Sequence, residues 1–241
     1  ILKFISCDVD SIKELHHIST VGMLGGTKDE IFCVPISDSH TVSGGYGQSK
    51  WVSEQLVNKF SAFFPSSRVC IYRPSTIFGS TVTGASNPKD TVGGMICGLI
   101  KEGIYCKEII TPTEANSLLP GEMNLVPVDW VAKVIVGLSL GNDRSNVAYH
   151  ISHNKLTKMK DIIENLDAVG VRMKLVPEYI FIDNVKKIVE ENHPFFLFKS
   201  VIVRSGYSSS ISKPSCNATN RSLSEIGLPE APPLTTESFE K

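Results

Sequence analysis

No stretch of the chain approaches the roughly 18 uninterrupted apolar residues that a membrane-spanning helix requires, and the N-terminus has no basic region leading into an apolar run. The chain also lacks an excess of either charge sign: 24 Lys and Arg stand against 25 Asp and Glu, a formal net charge of −1. That balance gives nucleic acid or an anionic membrane surface no electrostatic reason to be a partner. There is no Cys-x-x-Cys and no His/Cys spacing of a metal site. The six cysteines, Cys7, Cys33, Cys70, Cys97, Cys106 and Cys216, are scattered, which predicts reduced thiols in a cytoplasmic protein rather than a disulfide framework. The two sequons, Asn217-Ala-Thr219 and Asn220-Arg-Ser222, then read as chance. An initiating methionine is also missing, since the chain begins at Ile1; part of a longer polypeptide is the expectation.

What is present is an alternation of strand and helix patterns. Residues 1–13 place Ile1, Leu2, Ile5 and Val9 near one helical face, as the tail of a helix would. "ELHHISTVGML" runs apolar and β-branched into glycines, the pattern of a buried parallel strand over 15–21. A polar loop leads to a helix from about residue 44, with Trp51, Leu56, Val57 and Phe60 as its apolar positions. "SRVCIYRPSTIFG" is a second strand, broken at Pro74. Residues 80–125 read as a substrate-side insertion with a helical patch over 91–104. Asp129 is placed to cap a helix reaching about Leu140, "VAYHIS" is a third strand, and Thr157 is placed to cap a helix stopped by Gly170. A short strand over 171–177, a hydrophobic helical stretch over 178–203 and a short helix at 222–226 follow. The fold class expected is α/β, a partial Rossmann-like parallel sheet with helices on both faces. Residues 1–150 form one domain in this reading, and 151–241 a smaller α/β region with a mobile tail.

The stretch "GGYGQSKWVSEQL" sets Tyr46 four residues before Lys50 at the mouth of the first complete helix. Residues so spaced share a helix face, so a phenol and an ammonium can converge. A phenol, with a reference pKa of ~10, is a poor acid at neutral pH, and a nearby cation favours its phenolate. Lysine can also bond ribose hydroxyls. The strand ending at Ser19-Thr20 offers a hydroxyl from another element, able to polarise a carbonyl while the phenol protonates the developing alkoxide. Such a trio suits hydride transfer at a carbonyl.

On "HHISTVGM", "YGQSKWVSEQLV", "RPSTIFGSTVTGASN", "MNLVPVDWVAKVIVGLS" and "SLSEIGLPEAPPLTTESFEK", the chain resembles the extended short-chain dehydrogenase/reductase superfamily. More narrowly, it resembles the thioester reductase domains of nonribosomal peptide and polyketide synthases, aminoadipate reductases and carboxylic acid reductases. The resemblance implies that Thr20 polarises the carbonyl with Ser19 as the fallback hydroxyl, that Tyr46 is the acid, and that Lys50 holds ribose and tunes Tyr46. It implies cofactor contacts at Ser19, Tyr46, Lys50, Arg73, Pro74, Ser75 and Ile77, and no metal. The implied reaction is NADPH-dependent reduction of an acyl thioester, held by phosphopantetheine on a carrier protein, to an aldehyde or alcohol.

The family's glycine-rich strand–turn–helix for the dinucleotide pyrophosphate has no counterpart here: "GMLGGT" and "GGMICG" lack its spacing. The expectation is a catalytic part missing its N-terminal half, with weak cofactor affinity and an open apolar edge at the first strand. The missing half of the same polypeptide is then a possible partner. Other readings stay open: a fatty acyl-CoA reductase or sugar-nucleotide epimerase or dehydratase of the same superfamily, or a non-catalytic remnant that binds a carrier protein or partner chain. His16 and His17 are expected as packed or hydrogen-bonded core histidines, and His150 and His153, with no carboxylate or cysteine at metal spacing, are not expected to hold a metal. Lys155, Lys158 and Lys160 are expected to form a solvated face, with an acidic carrier protein or a phosphopantetheine phosphate as the other reading.

Overall fold

The computed structural model describes residues 2, 14–24, 29–34, 42, 44–87, 90–111, 118–141, 146–196, 199–203 and 214–240. The helix tail expected over 1–13 lies outside the described residues, apart from Leu2. The chain divides into two compact units that interleave along the sequence. Ile1–Ser75, Trp130–Asn154 and Ser212–Pro232 make the first; Thr76–Asp129, Lys155–Ile211 and Pro233–Lys241 make the second.

The first unit is built on a parallel sheet in the order β1–β2–β7, with β1 Glu14–Ile18, β2 Arg68–Pro74 and β7 Val147–Ile151. Every residue of β2, "RVCIYRP", is buried, as the central strand of a parallel sheet must be when both faces are covered. Between β1 and β2 runs α1, Gly44–Phe63, which seats Val57 and Phe60 on Leu15, Val69, Ile71 and Ala148. Among the described residues the unit also contains α4, Val128–Ser139, which belongs to it from Trp130 onward, and α8, Asn217–Glu225.

The second unit pairs β3 Thr76–Phe78 with β6 Leu125–Pro127 and β4 Ile104–Tyr105 with β9 Lys174–Leu175, both in parallel. It also pairs β5 Glu122–Met123 with β8 Thr157–Lys158 antiparallel. Its core collects side chains from α2 (Thr91–Glu102), α3 (Lys107–Ile110), α5 (Met159–Ala168), α6 (Glu178–Lys187) and α7 (Lys199–Val203). Asp90 caps α2 by accepting from Gly93 N at 2.6 Å, and Gly103 ends it at a φ of 65°.

Several expectations are corrected. The first strand stops at Ile18, because the Thr20 hydroxyl accepts from Gly22 N and folds Val21–Met23 into a 3₁₀ turn. Exposure alternates along β1: Glu14, His16 and Ile18 are exposed and Leu15 is buried. Leu56 is 53% exposed rather than part of the core face of α1, whereas Glu54 is fully buried. "RPSTIF" is two strands in different sheets, parted at Ser75. Asp129 lies inside α4, and its carboxylate accepts from Thr81 N and Oγ1 at 2.8 and 2.9 Å. Thr157 pairs in β8, which leaves Lys158 at the start of α5. The stretch from 178 breaks after Lys187, and α8 begins at Asn217. No helix among the described residues is long and apolar enough to cross a membrane.

Candidate active site

The site lies where parallel strands end. In an open parallel sheet the carboxyl ends of the strands, with their free backbone groups, are where ligands bind. Ser19 and Thr20 follow the last residue of β1. Ser19 N donates to Tyr72 O at 2.7 Å, which continues the β1–β2 ladder. The Ser19 hydroxyl is buried and has no hydrogen-bond partner among the described residues, so it is a polar group in want of one. Thr20 Oγ1 donates to Pro74 O at 3.4 Å while accepting from Gly22 N at 3.2 Å.

Helix α1 delivers Tyr46 and Lys50 to the same strand end. Lys50 Nζ donates to Ile18 O at 3.4 Å, two residues before Thr20. It also lies 5.9 Å from the centre of the Tyr46 ring, within cation–π range. Tyr46 is 66% exposed, and its hydroxyl makes no hydrogen bond to the described residues. Gly47 permits the approach: a Cβ there would stand 3.1 Å from Gly22 O and 3.1 Å from Val42 Cγ1. The first turn of α1 therefore abuts the turn that follows Thr20.

Arg73 lies beneath this surface and does not open onto it. Its guanidinium is fully buried, and all five N–H groups have partners. Nε and Nη2 fork onto the Glu54 carboxylate at 2.9, 3.2 and 2.6 Å. Nη1 reaches Ile31 O at 2.7 Å and His150 Nε2 at 3.2 Å, and Nη2 reaches Phe32 O at 3.2 Å. An arginine can only donate, so His150 Nε2 accepts and the ring proton sits on Nδ1, which donates to Ser215 O at 2.8 Å. Burial first, and the Arg73 charge second, push the His150 pKa down to about 4. His150 N donates to Thr219 Oγ1 at 2.9 Å, and Thr219 in turn donates to Glu30, whose carboxylate caps α8 through Ala218 N and Thr219 N at 2.6 and 2.8 Å. Thr219 is thus enclosed.

His17 faces α1, with Nε2 3.5 Å from Ser53 Oγ. Its pKa is lowered, mainly by burial and further by the Lys50 and Arg73 charges, against the pull of Glu54. His16 turns the other way, to Tyr72 OH at 3.0 Å and Glu14 at 3.4 Å. Pro74 and Ser75 are buried at the end of β2, and Ser75 N donates to Ile151 O at 3.0 Å. Ile77 is 37% exposed in β3 of the second unit.

The structure thus brings Ser19, Thr20, Tyr46, Lys50 and the Pro74 carbonyl to one end of one sheet. Sequence reasoning did not find Glu54, Thr219 and Glu30, nor the contacts that His150 makes. A signal existed for the first of them. An arginine inside the apolar strand "VCIYRP" demands a buried carboxylate, and Glu54 lies four residues after Lys50.

The model of the Male sterility protein family, an NAD-binding family, matches residues 4–135. L-2-aminoadipate reductase of Schizosaccharomyces pombe is 31% identical over 163 residues, covering 67% of this chain and 10% of that protein. The terminal R domain from the myxalamid PKS-NRPS biosynthetic pathway superposes with a TM-score of 0.75 at 22% identity, covering 95% of this chain and 56% of that one. A thiolation-reductase di-domain from an archaeal non-ribosomal peptide synthetase superposes with a TM-score of 0.67 at 19% identity, covering 99% and 49%. The present chain therefore spans about half the length of these solved chains, whose likeness gives the fold: a Rossmann-like parallel sheet with helices. The chain belongs to the Male sterility protein family of NAD-binding domains, and is homologous to aminoadipate reductases and to terminal reductase domains of peptide and polyketide synthases.

Proposed function

We propose that the chain is the catalytic part of an NADPH-dependent reductase that converts an acyl thioester, held by phosphopantetheine on a carrier protein, to an aldehyde or alcohol. One observation carries the reading. Lys50 touches the carbonyl at the end of β1 and faces the Tyr46 ring, and the Thr20 hydroxyl follows two residues later.

The residues fit a nicotinamide nucleotide: Ser19 offers a buried hydroxyl without a partner among the described residues, and Lys50 offers an ammonium with one long bond. Ser19 and Lys50 would hold it, beside the backbone of Pro74 and Ser75. When bound, the nicotinamide supplies hydride to the carbonyl carbon. Thr20 would turn its hydroxyl from Pro74 O to the substrate oxygen and polarise it. Tyr46, exposed and free to reach the substrate, would give its phenolic proton to that oxygen as charge develops. The hemithioacetal so formed breaks its C–S bond, the hydroxyl proton passes to sulfur, and the aldehyde leaves while the phosphopantetheine thiol is restored. The carrier reading is supported by the archaeal relative, in which a thiolation domain accompanies the reductase.

The test uses the 241-residue chain, alone and fused behind a glycine-rich dinucleotide-binding N-terminal half of the kind the family resemblance implies. NADPH consumption is followed with an acyl-pantetheine thioester, free and on a carrier protein. Turnover to aldehyde that Tyr46→Phe abolishes is the expected result. A folded fusion that binds NADPH and reduces no thioester overturns the proposal and leaves the non-catalytic, partner-binding reading.

A further inference from the structure

We infer that Arg73 is a positioning residue for Tyr46 and Lys50, acting through Glu54; the kinetic half of this inference rests on the function proposed above. Tyr46 is exposed and Lys50 has a single long hydrogen bond, so neither head group is held by its own surroundings. Their placement depends on how α1 is rotated about its axis. Glu54 lies four residues beyond Lys50 and eight beyond Tyr46, on the same face of α1. The Arg73 fork on both carboxylate oxygens fixes that face by direction as well as distance.

The fork is itself held from behind. The remaining donors of Arg73 go to two carbonyls, Ile31 O and Phe32 O, and to His150 on β7, whose other ring nitrogen is held by Ser215 O. The guanidinium is therefore anchored to the sheet and to the 29–34 segment, and it in turn anchors the helix. On a helix with side chains reaching ~5–6 Å from the axis, a rotation of about 10° moves a head group by about 1 Å. A displacement of that size can cost about a hundredfold in rate.

The decisive variant replaces both partners by apolar side chains, Arg73→Met with Glu54→Leu, which removes the fork without leaving a buried charge unpaired. Arg68→Met is the control. Arg68 is also buried, but it binds Glu14, Ser139 O and Leu138 O at the opposite ends of the strands. Amide hydrogen exchange and steady-state kinetics are read on the chain and on the fusion described above. In the double variant, β2 and β7 amides keep their protection while those of residues 44–54 lose it. Turnover number falls about a hundredfold and the KM for the thioester does not move; the control changes neither. A folded double variant with unchanged exchange over 44–54, or with wild-type turnover, overturns the inference. Should the double variant not fold, Arg73→Lys, which keeps the charge and loses the fork, is read in the same way. If the parent fusion has no turnover, the proposed function fails by itself, and exchange over 44–54 still decides the positioning role.

Discussion

Acid should weaken the first unit through one histidine. His150 is fully buried between Arg73 and Ser215, with Nε2 as an acceptor. Protonation would turn that acceptor into a donor facing another donor and set a second positive charge against the guanidinium. Its pKa is accordingly lowered from 6.5 to about 4, by burial first and by Arg73 second. Below 6.5 the unfolded chain takes up a proton at this position that the folded chain refuses until about pH 4. Stability contributed by the neutral ring is thus complete above 6.5 and drains away as pH falls towards 4. At ~1.4 kcal/mol per pH unit, the gap corresponds to about 3 kcal/mol. His17 is lowered too and adds to the same side, so the measurement must separate the two. Urea unfolding, followed by circular dichroism across this window, is compared between the parent chain and His150→Gln, whose amide can still accept from Arg73. The parent loses stability steeply with acid, and the variant loses about 3 kcal/mol less over the window. Parallel curves would refute the assigned tautomer and the burial argument together.

Other outcomes follow from single contacts. At Gly98, inside α2, an added Cβ would stand 2.4 Å from the buried Phe195 ring, which packs edge-on against Phe181. Gly98→Ala should therefore destabilise by about 1–2 kcal/mol, although alanine is the better helix former; an increase in thermal stability would contradict the packing. Glu30→Gln should weaken the cap on α8 by about 1 kcal/mol and raise hydrogen exchange at Ala218 and Thr219. Lys50→Ala should lower NADPH affinity and turnover together in the fusion, with little change in melting temperature because its one described bond is long; loss of turnover with unchanged affinity would remove the ribose-holding role.

Local chemistry was legible in the sequence where it is local in space. The continuous apolar run of β2 marked a central strand, the glycines before Tyr46 marked the start of α1, and Tyr46 and Lys50 share a face because they are four residues apart. What stayed hidden involves partners far apart in the chain. Glu54 reads as a solvated helix residue until Arg73 is known to face it, and Leu56, apolar yet exposed, reads as core for the converse reason. Asp129 and Thr157 are both good capping residues by type. Their side chains or backbones are taken instead by Thr81 and by strand β5, choices that no local pattern records. The split of "RPSTIF" between two sheets depends on β7 and β6, which lie about fifty or more residues downstream. Arg73 shows the cost of reading a motif by position alone: its place beside Pro74 suggested a cofactor contact, and its side chain turns inward instead.

The central claim is that Tyr46 delivers the proton from a helix whose face Lys50 and Glu54 share. The most direct measurement is turnover of a carrier-bound acyl thioester by the NADPH-competent fusion, with Tyr46→Phe beside it. The substitution removes an exposed hydroxyl that bonds to none of the described residues, so fold, stability and NADPH affinity should be unchanged. Turnover should fall by about 10²–10⁴-fold. Turnover equal to that of the parent would contradict the account at its centre.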